Sequence, residues 1–185
     1  MRHIALRSTS LGSTIDAAPV LPPVALWTAP RTPEVPRRLG DLPVTRPHPH
    51  TQMNQRPKWN AVERVYSAAL ALPGAQSWST PCGPPGTLAL RLVSHVPKRD
   101  GAQMLVAREF MHFHPLPHGS VHLALPAELR DEAIAAGWAE PHPLAGHAGI
   151  SPLAVMVYAP RSAAEADVVI DFVRASWELA TGART

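Results

Sequence analysis

The sequence predicts an α+β domain, an antiparallel sheet with three helices packed to one side, preceded by a Pro-rich N-terminal extension. Three observations carry this reading. Helical periodicity occurs three times, each time between recognisable start and stop residues. Between the first and the last helix the apolar residues alternate instead, in short runs broken by Gly and Pro. Before residue 58, prolines 19, 22, 23, 30, 33, 36, 43, 47, 49 and 57 leave no period at all. Antiparallel strands with helices on one side are the economical way to bury such elements together.

The extension covers residues 1–58 and the domain residues 59–185. The first 35 or so residues are expected to be disordered, while Arg37–Pro43 through Pro49–Gln52 reads as an extended strap over the domain. Met53 also leaves open an alternative start of translation. In the domain, Asn60 and Glu63 form a capping-box pattern. Val62, Val65, Tyr66, Ala69 and Leu70 then recur at helical spacing until Pro73-Gly74 stops them. After the Gly/Pro-rich connection 81–86, Leu88–Val96 alternates as a strand, and Gln103–Val106 reads as another. Glu109–His114 and Ser120–Leu125 form a hairpin pair. Pro126 opens and Gly137 closes a short helix, a loop spans 138–150, and Leu153–Tyr158 is a further strand. Ser162 and Glu165 make a second capping box. The last helix carries a stripe of Val168, Val169, Phe172, Val173, Ser176, Leu179 and Ala180, each large apolar member worth roughly 1.5–3 kcal/mol when buried.

Bulk properties exclude several functions. A chain of 185 residues holds one domain with an appendage. Its single cysteine, Cys82, rules out an internal disulfide framework and a Cys-rich zinc site, and nothing in its surroundings suggests an activated nucleophile. A net charge of +3, with scattered arginines and no basic run, gives no nucleic-acid footprint. No window approaches the roughly 18–20 apolar residues of a membrane span, and Arg7, Ser8, Thr9 and Ser10 interrupt any signal-peptide core. A cytoplasmic protein acting on a small molecule, with no nucleic-acid or membrane partner, is expected; the oligomeric state is left open.

The histidines are the chemical signal. Six of ten lie between residues 112 and 147. His112 and His114 are two apart, on one face of a strand, and His122 lies on the next strand, so a hairpin converges three imidazoles. Such a patch serves either as general base and hydrogen-bond donors toward an anion or as a three-histidine site for a divalent metal, His112, His114 and His122. In a regular strand Glu109 points to the face opposite His114, and there it reads as a solvent-exposed carboxylate or one salt-bridged with nearby Arg108. His118 reads as a turn residue, His95 and His147 as incidental, and Arg161 as loop support.

Arg108-Glu-Phe-Met-His-Phe-His114, Gly119-Ser-Val-His-Leu-Ala-Leu125, Gly137-Trp-Ala-Glu-Pro-His-Pro-Leu-Ala-Gly146 and Val157-Tyr-Ala-Pro-Arg161 resemble, in that order, the luciferase domain family. Pro49-His-Thr-Gln52 resembles a weaker upstream block. The family is named for fungal enzymes that oxidise 3-hydroxyhispidin, and it includes bacterial members of undefined activity. The resemblance implies an oxygenase that adds molecular oxygen to an enolisable pyrone or aromatic compound with no cofactor, oxygen being the co-substrate. It implies His112, His114, His122 and His142 as catalytic residues, with Glu109 and Trp138 against the substrate. The fungal proteins carry an apolar N-terminal segment where this chain has its Pro-rich extension. Ala71-Leu-Pro-Gly74, the strand series and the last helix are also similar, more faintly, to YjbR-like proteins. That similarity leaves a non-catalytic ligand-binding module as an alternative.

Overall fold

In chain order the elements are β1 (Thr45–Pro47), β2 (His50–Gln52), α1 (Trp59–Leu70), β3 (Ala75–Trp78), β4 (Leu88–Leu92), β5 (Glu109–Phe113), β6 (Val121–Ala124), α2 (Ala127–Ala135), β7 (Ala139–Pro141), β8 (Ala154–Val157) and α3 (Ala163–Thr181). The computed structural model describes residues 34–80, 82–99 and 105–183. The disorder expected of about the first 35 residues lies, except for Glu34 and Val35, outside the described residues, as do Gln103 and Met104 of one expected strand.

Six strands form one antiparallel sheet in the order β3-β4-β5-β6-β8-β7, and β1 and β2 form a separate two-stranded sheet. The architecture is α+β. One face of the large sheet presents Leu90, Leu92, Met111, Phe113, Leu123, Val155 and Val157 to a single core. That core also takes in Val62, Val65 and Ala69 of α1, Ala133 of α2 and Val169, Phe172 and Val173 of α3. α3 has the start and stop its sequence calls for. Ser162 Oγ accepts the backbone N–H of Glu165, and Gly182 closes the helix with φ 73°. The Glu165 carboxylate accepts the N–H of Arg161 rather than that of Ser162, so the capping box is only half closed.

Register places a row of residues on the opposite face. Trp78 pairs with Ala89, Ala89 with His112, His112 with His122, His122 with Met156, and Met156 with Glu140. Directly opposed residues share a face, so β5 and β6 put their histidines in the middle of the sheet and β7 puts a carboxylate at its edge.

Several local expectations are corrected. α1 begins at Trp59 with Lys58 as N-cap and no side-chain cap bond. Asn60 therefore lies inside the first turn and cannot cap it. The strand expected over 88–96 ends at Leu92, because Val93–Val96 folds into a turn held by Arg108. The Arg108 guanidinium donates to the carbonyls of Leu92, Val93 and Val96, which also removes it as a partner for Glu109. β7 arises where a loop is expected, and β3 in a stretch to which the sequence assigns no element. Leu105 and Val106 contribute only an isolated bridge to Glu109.

Candidate functional site

A register shift between Leu90 and Arg91 shapes the site. Leu90 lies opposite Met111 but Arg91 lies opposite Glu109, so Phe110 is an extra residue on β5. A bulge of this kind reverses the alternation on one side of it. Glu109 therefore shares the face of His112, against the expectation from a regular strand. Its carboxylate, fully buried, accepts Nδ1–H of His112 at 2.6 Å and Nε1–H of Trp78 at 3.1 Å. The bulged Phe110 carbonyl accepts the buried Ser176 hydroxyl of α3 at 3.0 Å, so a core helix supports the irregularity.

Around His122 the imidazoles close into a cluster. His112 Nε2 lies 3.1 Å from His122 Nδ1. The centroid of His122 is 4.9 Å from that of His112, 4.6 Å from His114, 4.7 Å from His142 and 5.0 Å from His50. His114 Nδ1 lies 3.3 Å from Ser120 Oγ. His112, His114 and His122 are each 3% exposed and His50 is 7% exposed; His142, on the loop after β7, is the partly open member.

His50 was not expected here. It enters from β2, and its Nε2–H donates to Glu140 Oε1 at 2.6 Å. Glu140 also accepts the hydroxyls of Thr45 at 3.2 Å and Tyr158 at 3.0 Å. Against the desolvation that would raise it, these hydrogen bonds, with His50 foremost, hold the Glu140 carboxyl below its ordinary range. The strap is fixed beside the cluster by further bonds. Gln52 Oε1 accepts the N–H of Ala159, the Gln52 carbonyl lies 2.8 Å from His118 Nδ1, and Arg38 donates to the Ala159 carbonyl. The sequence signals for His50 and Glu140 were faint, namely the weak upstream block and one acidic residue in a presumed loop.

Burial, reinforced by the neighbouring imidazoles, pushes His114 down to about 3 and His142 down to about 4, and carries His122 well below the ordinary histidine value. These three rings are neutral at physiological pH, with lone pairs available. Two sets, His112/His114/His122 and His50/His122/His142, each place one nitrogen per residue within 4.8 Å of the others. Either could hold a transition metal.

The remaining expected residues lie elsewhere. Trp138 donates its indole N–H to the Pro36 carbonyl and packs on Phe172, so it anchors the strap and has no ring contact with the histidines. His118 holds the strap through Gln52. Arg161 is bound to Glu165 and to the Leu39 carbonyl. Burial and the Glu109 charge raise the Cys82 thiol, which disfavours a nucleophile. A surface depression lined by Asn60, Ala61, Glu63, Arg64 and Ala163 contains none of the histidines.

Comparison with known proteins finds a likeness to one family over part of the chain. The luciferase-domain family model matches residues 107–176, a stretch that contains His112, His114, His122 and His142 but neither His50 nor the strap. Proteins named luciferase from Armillaria ostoyae and Neonothopanus nambi are each 37% identical to this chain over 84 residues, and one from Armillaria mellea is 36% identical over the same length. These alignments cover 44% of this chain and 31% of each relative, so less than a third of those luciferases has a counterpart here. No solved structure matches the chain.

Proposed function

We propose that this chain, whose residues 107–176 match the luciferase-domain family model, is an oxygenase acting on an enolisable pyrone or aromatic small molecule at its histidine cluster. The observation that carries the reading is the packing of four imidazoles around the buried His122, three of them buried with it, and the two carboxylates bonded behind His112 and His50. A surface histidine patch needs no such support.

The chemistry follows from the roles the hydrogen bonds leave open. His112 and His50 are committed to Glu109 and Glu140. His114 has only the weak Ser120 contact behind it, and its ring faces His122. Among the buried rings His114 is bonded to neither a carboxylate nor another imidazole, so it is assigned the proton of the substrate's enol. The burial that holds it at about 3 is offset only when the enolate charge forms beside it, and it makes the imidazolium quick to give the proton back. The enolate passes one electron to oxygen, and the carbon radical and superoxide so formed combine into a C–O bond. Return of the proton from His114 gives the hydroperoxide, so that one substrate and one oxygen molecule make one product with no external reductant. Exclusion of water protects these intermediates, and the step asks for no organic cofactor. Entry is assigned to the side of His142, the one histidine of the cluster that is not buried.

The test is oxygen uptake with a panel of hydroxypyrones and electron-rich phenols, comparing the full chain with His114→Ala. The expected outcome is substrate-dependent uptake that falls at least 100-fold in the variant, in line with the roughly 10²–10⁴-fold contribution of a positioned acid–base group. Undiminished uptake in His114→Ala would remove His114 from the mechanism. Absence of uptake with every compound, together with saturable binding of one, would instead mark a ligand-binding module.

A further inference from the structure

We propose that His50, His122 and His142 form a binding site for a late first-row divalent transition metal, with Glu140 and the Glu109–His112 pair as its outer shell. The site deepens the function proposed above and rests on it only for the use of the ion, not for its binding.

Proton positions lead to this set. Glu140 accepts Nε2–H of His50, which leaves Nδ1 of the neutral ring as a bare lone pair. With His112 neutral, the Nδ1–H given to Glu109 leaves its Nε2 as the acceptor for Nδ1–H of His122. Nε2 of His122 is then bare as well. His50 Nδ1 and His122 Nε2 are both buried, and neither has a hydrogen-bond partner among the described residues. Orphaned buried acceptors are rare in native proteins, and here two occur on stacked rings whose centroids are 5.0 Å apart. His142 stands edge-on to both.

A cation satisfies both lone pairs at once. Imidazole suits zinc, iron, nickel and copper over magnesium or calcium. Zinc–nitrogen bonds of about 2.0–2.1 Å put ligand atoms roughly 3.3 Å apart in a tetrahedron. Nitrogens already within 4.8 Å of one another close on an ion through side-chain adjustments of about an ångström. His142 is the ring that adapts. Its Nδ1 now accepts the N–H of Leu144 at 3.1 Å, and coordination through Nε2 moves the ring proton to Nδ1 and releases that contact. Carboxylates behind histidine ligands are the usual outer shell of a metal site. Glu109 and Glu140 together balance the two charges of the ion. When bound, the ion would supply a seat for an enolate oxygen.

The alternative set, His112, His114 and His122, gives up the His112–His122 hydrogen bond where it binds through those two nitrogens, and leaves the lone pair of His50 unsatisfied. It also makes no use of the strap. The two sets are therefore separable.

The experiment is titration of the EDTA-treated full chain with cobalt(II) in the absence of substrate, followed by the visible d–d absorption, with zinc competition for affinity. One equivalent with a four- or five-coordinate spectrum is expected. His50→Ala should weaken binding at least 10-fold and His114→Ala less than 3-fold. Glu140→Gln keeps the ring and alters only its support; it should weaken binding on the order of 10–100-fold, and it replaces His50→Ala if that variant does not fold. No cobalt binding by the full chain overturns the proposal, and so does binding lost in His114→Ala but kept in His50→Ala. Because no substrate is present, failure here leaves the oxygenase reading untouched, and failure of oxygen uptake leaves this result standing.

Discussion

At the scale of single residues, the candidate site depends on a carboxylate in an expensive place. Glu109 has no solvent exposure, and it is tolerated because His112 and Trp78 both donate to it. Removing one partner of such a group costs more than the group contributes, since the others remain buried and unpaired. Glu109→Ala is therefore expected to destabilise the protein by about 3 kcal/mol, read as a drop in the urea midpoint. Glu109→Gln keeps an acceptor for one of the two donors and should cost roughly half as much. A Glu109→Ala protein as stable as the parent would mean that the carboxylate is not held as described. The same substitution frees His112 Nδ1–H and, through it, the tautomer of His122, so it should also weaken cobalt binding about 10-fold. This last effect is an outer-shell one, separable from stability by measuring metal binding well below the unfolding transition.

At the scale of elements, the bulge on β5 decides which residues can cooperate. Its Phe110 carbonyl depends on the Ser176 hydroxyl, which comes from the buried stripe of α3. Ser176→Ala leaves that carbonyl unpaired and should cost about 1–2 kcal/mol, measured by chemical denaturation; a change below 0.5 kcal/mol would argue that water or a backbone shift replaces the bond. The bulge also shows where the sequence stops being readable. The helices were legible because α3 repeats its apolar residues at helical spacing between Ser162 and Gly182. The pairing of His112 with His122 was legible because a two-residue alternation survives on both strands. Edge strands β3 and β7, of four and three residues, are too short for a period to register. Glu109 was placed on the wrong face because an extra residue in a strand leaves no compositional mark. His50 lies 62 residues before His112 in a Pro-rich stretch, and only tertiary packing of the strap brings the two regions together.

At the scale of the whole molecule, the strap is joined to α3 through charge. Arg38 lies 3.5 Å from the Glu165 carboxylate and also donates to Gln55 and to the Ala159 carbonyl. Arg161 binds the same carboxylate and reaches the Leu39 carbonyl. Burial tends to raise the Glu165 carboxyl, but the hydrogen bonds from Arg161 and the charges of Arg38 and Arg161 outweigh it and hold the group below its ordinary value. A carboxyl lowered in the folded state contributes stability that is complete above its unfolded value and is lost as pH falls through the folded one. His114, His122 and His142, held neutral in the folded protein, make the parent and any Glu165 variant alike lose stability as the pH falls below the ordinary histidine value. The Glu165 contribution is therefore read from the difference between their urea midpoints, which should shrink as the pH drops below the ordinary glutamate range. Glu165→Gln should start lower at pH 7, by about 1–2 kcal/mol, and decline less steeply, so that the two curves converge in acid. Because the strap carries His50, protease sensitivity of residues 34–55 should rise in the parent over the same pH window and be high in Glu165→Gln throughout. Parallel curves with a constant offset would show that Glu165 stabilises the protein by packing alone, and that the strap is held without this charge.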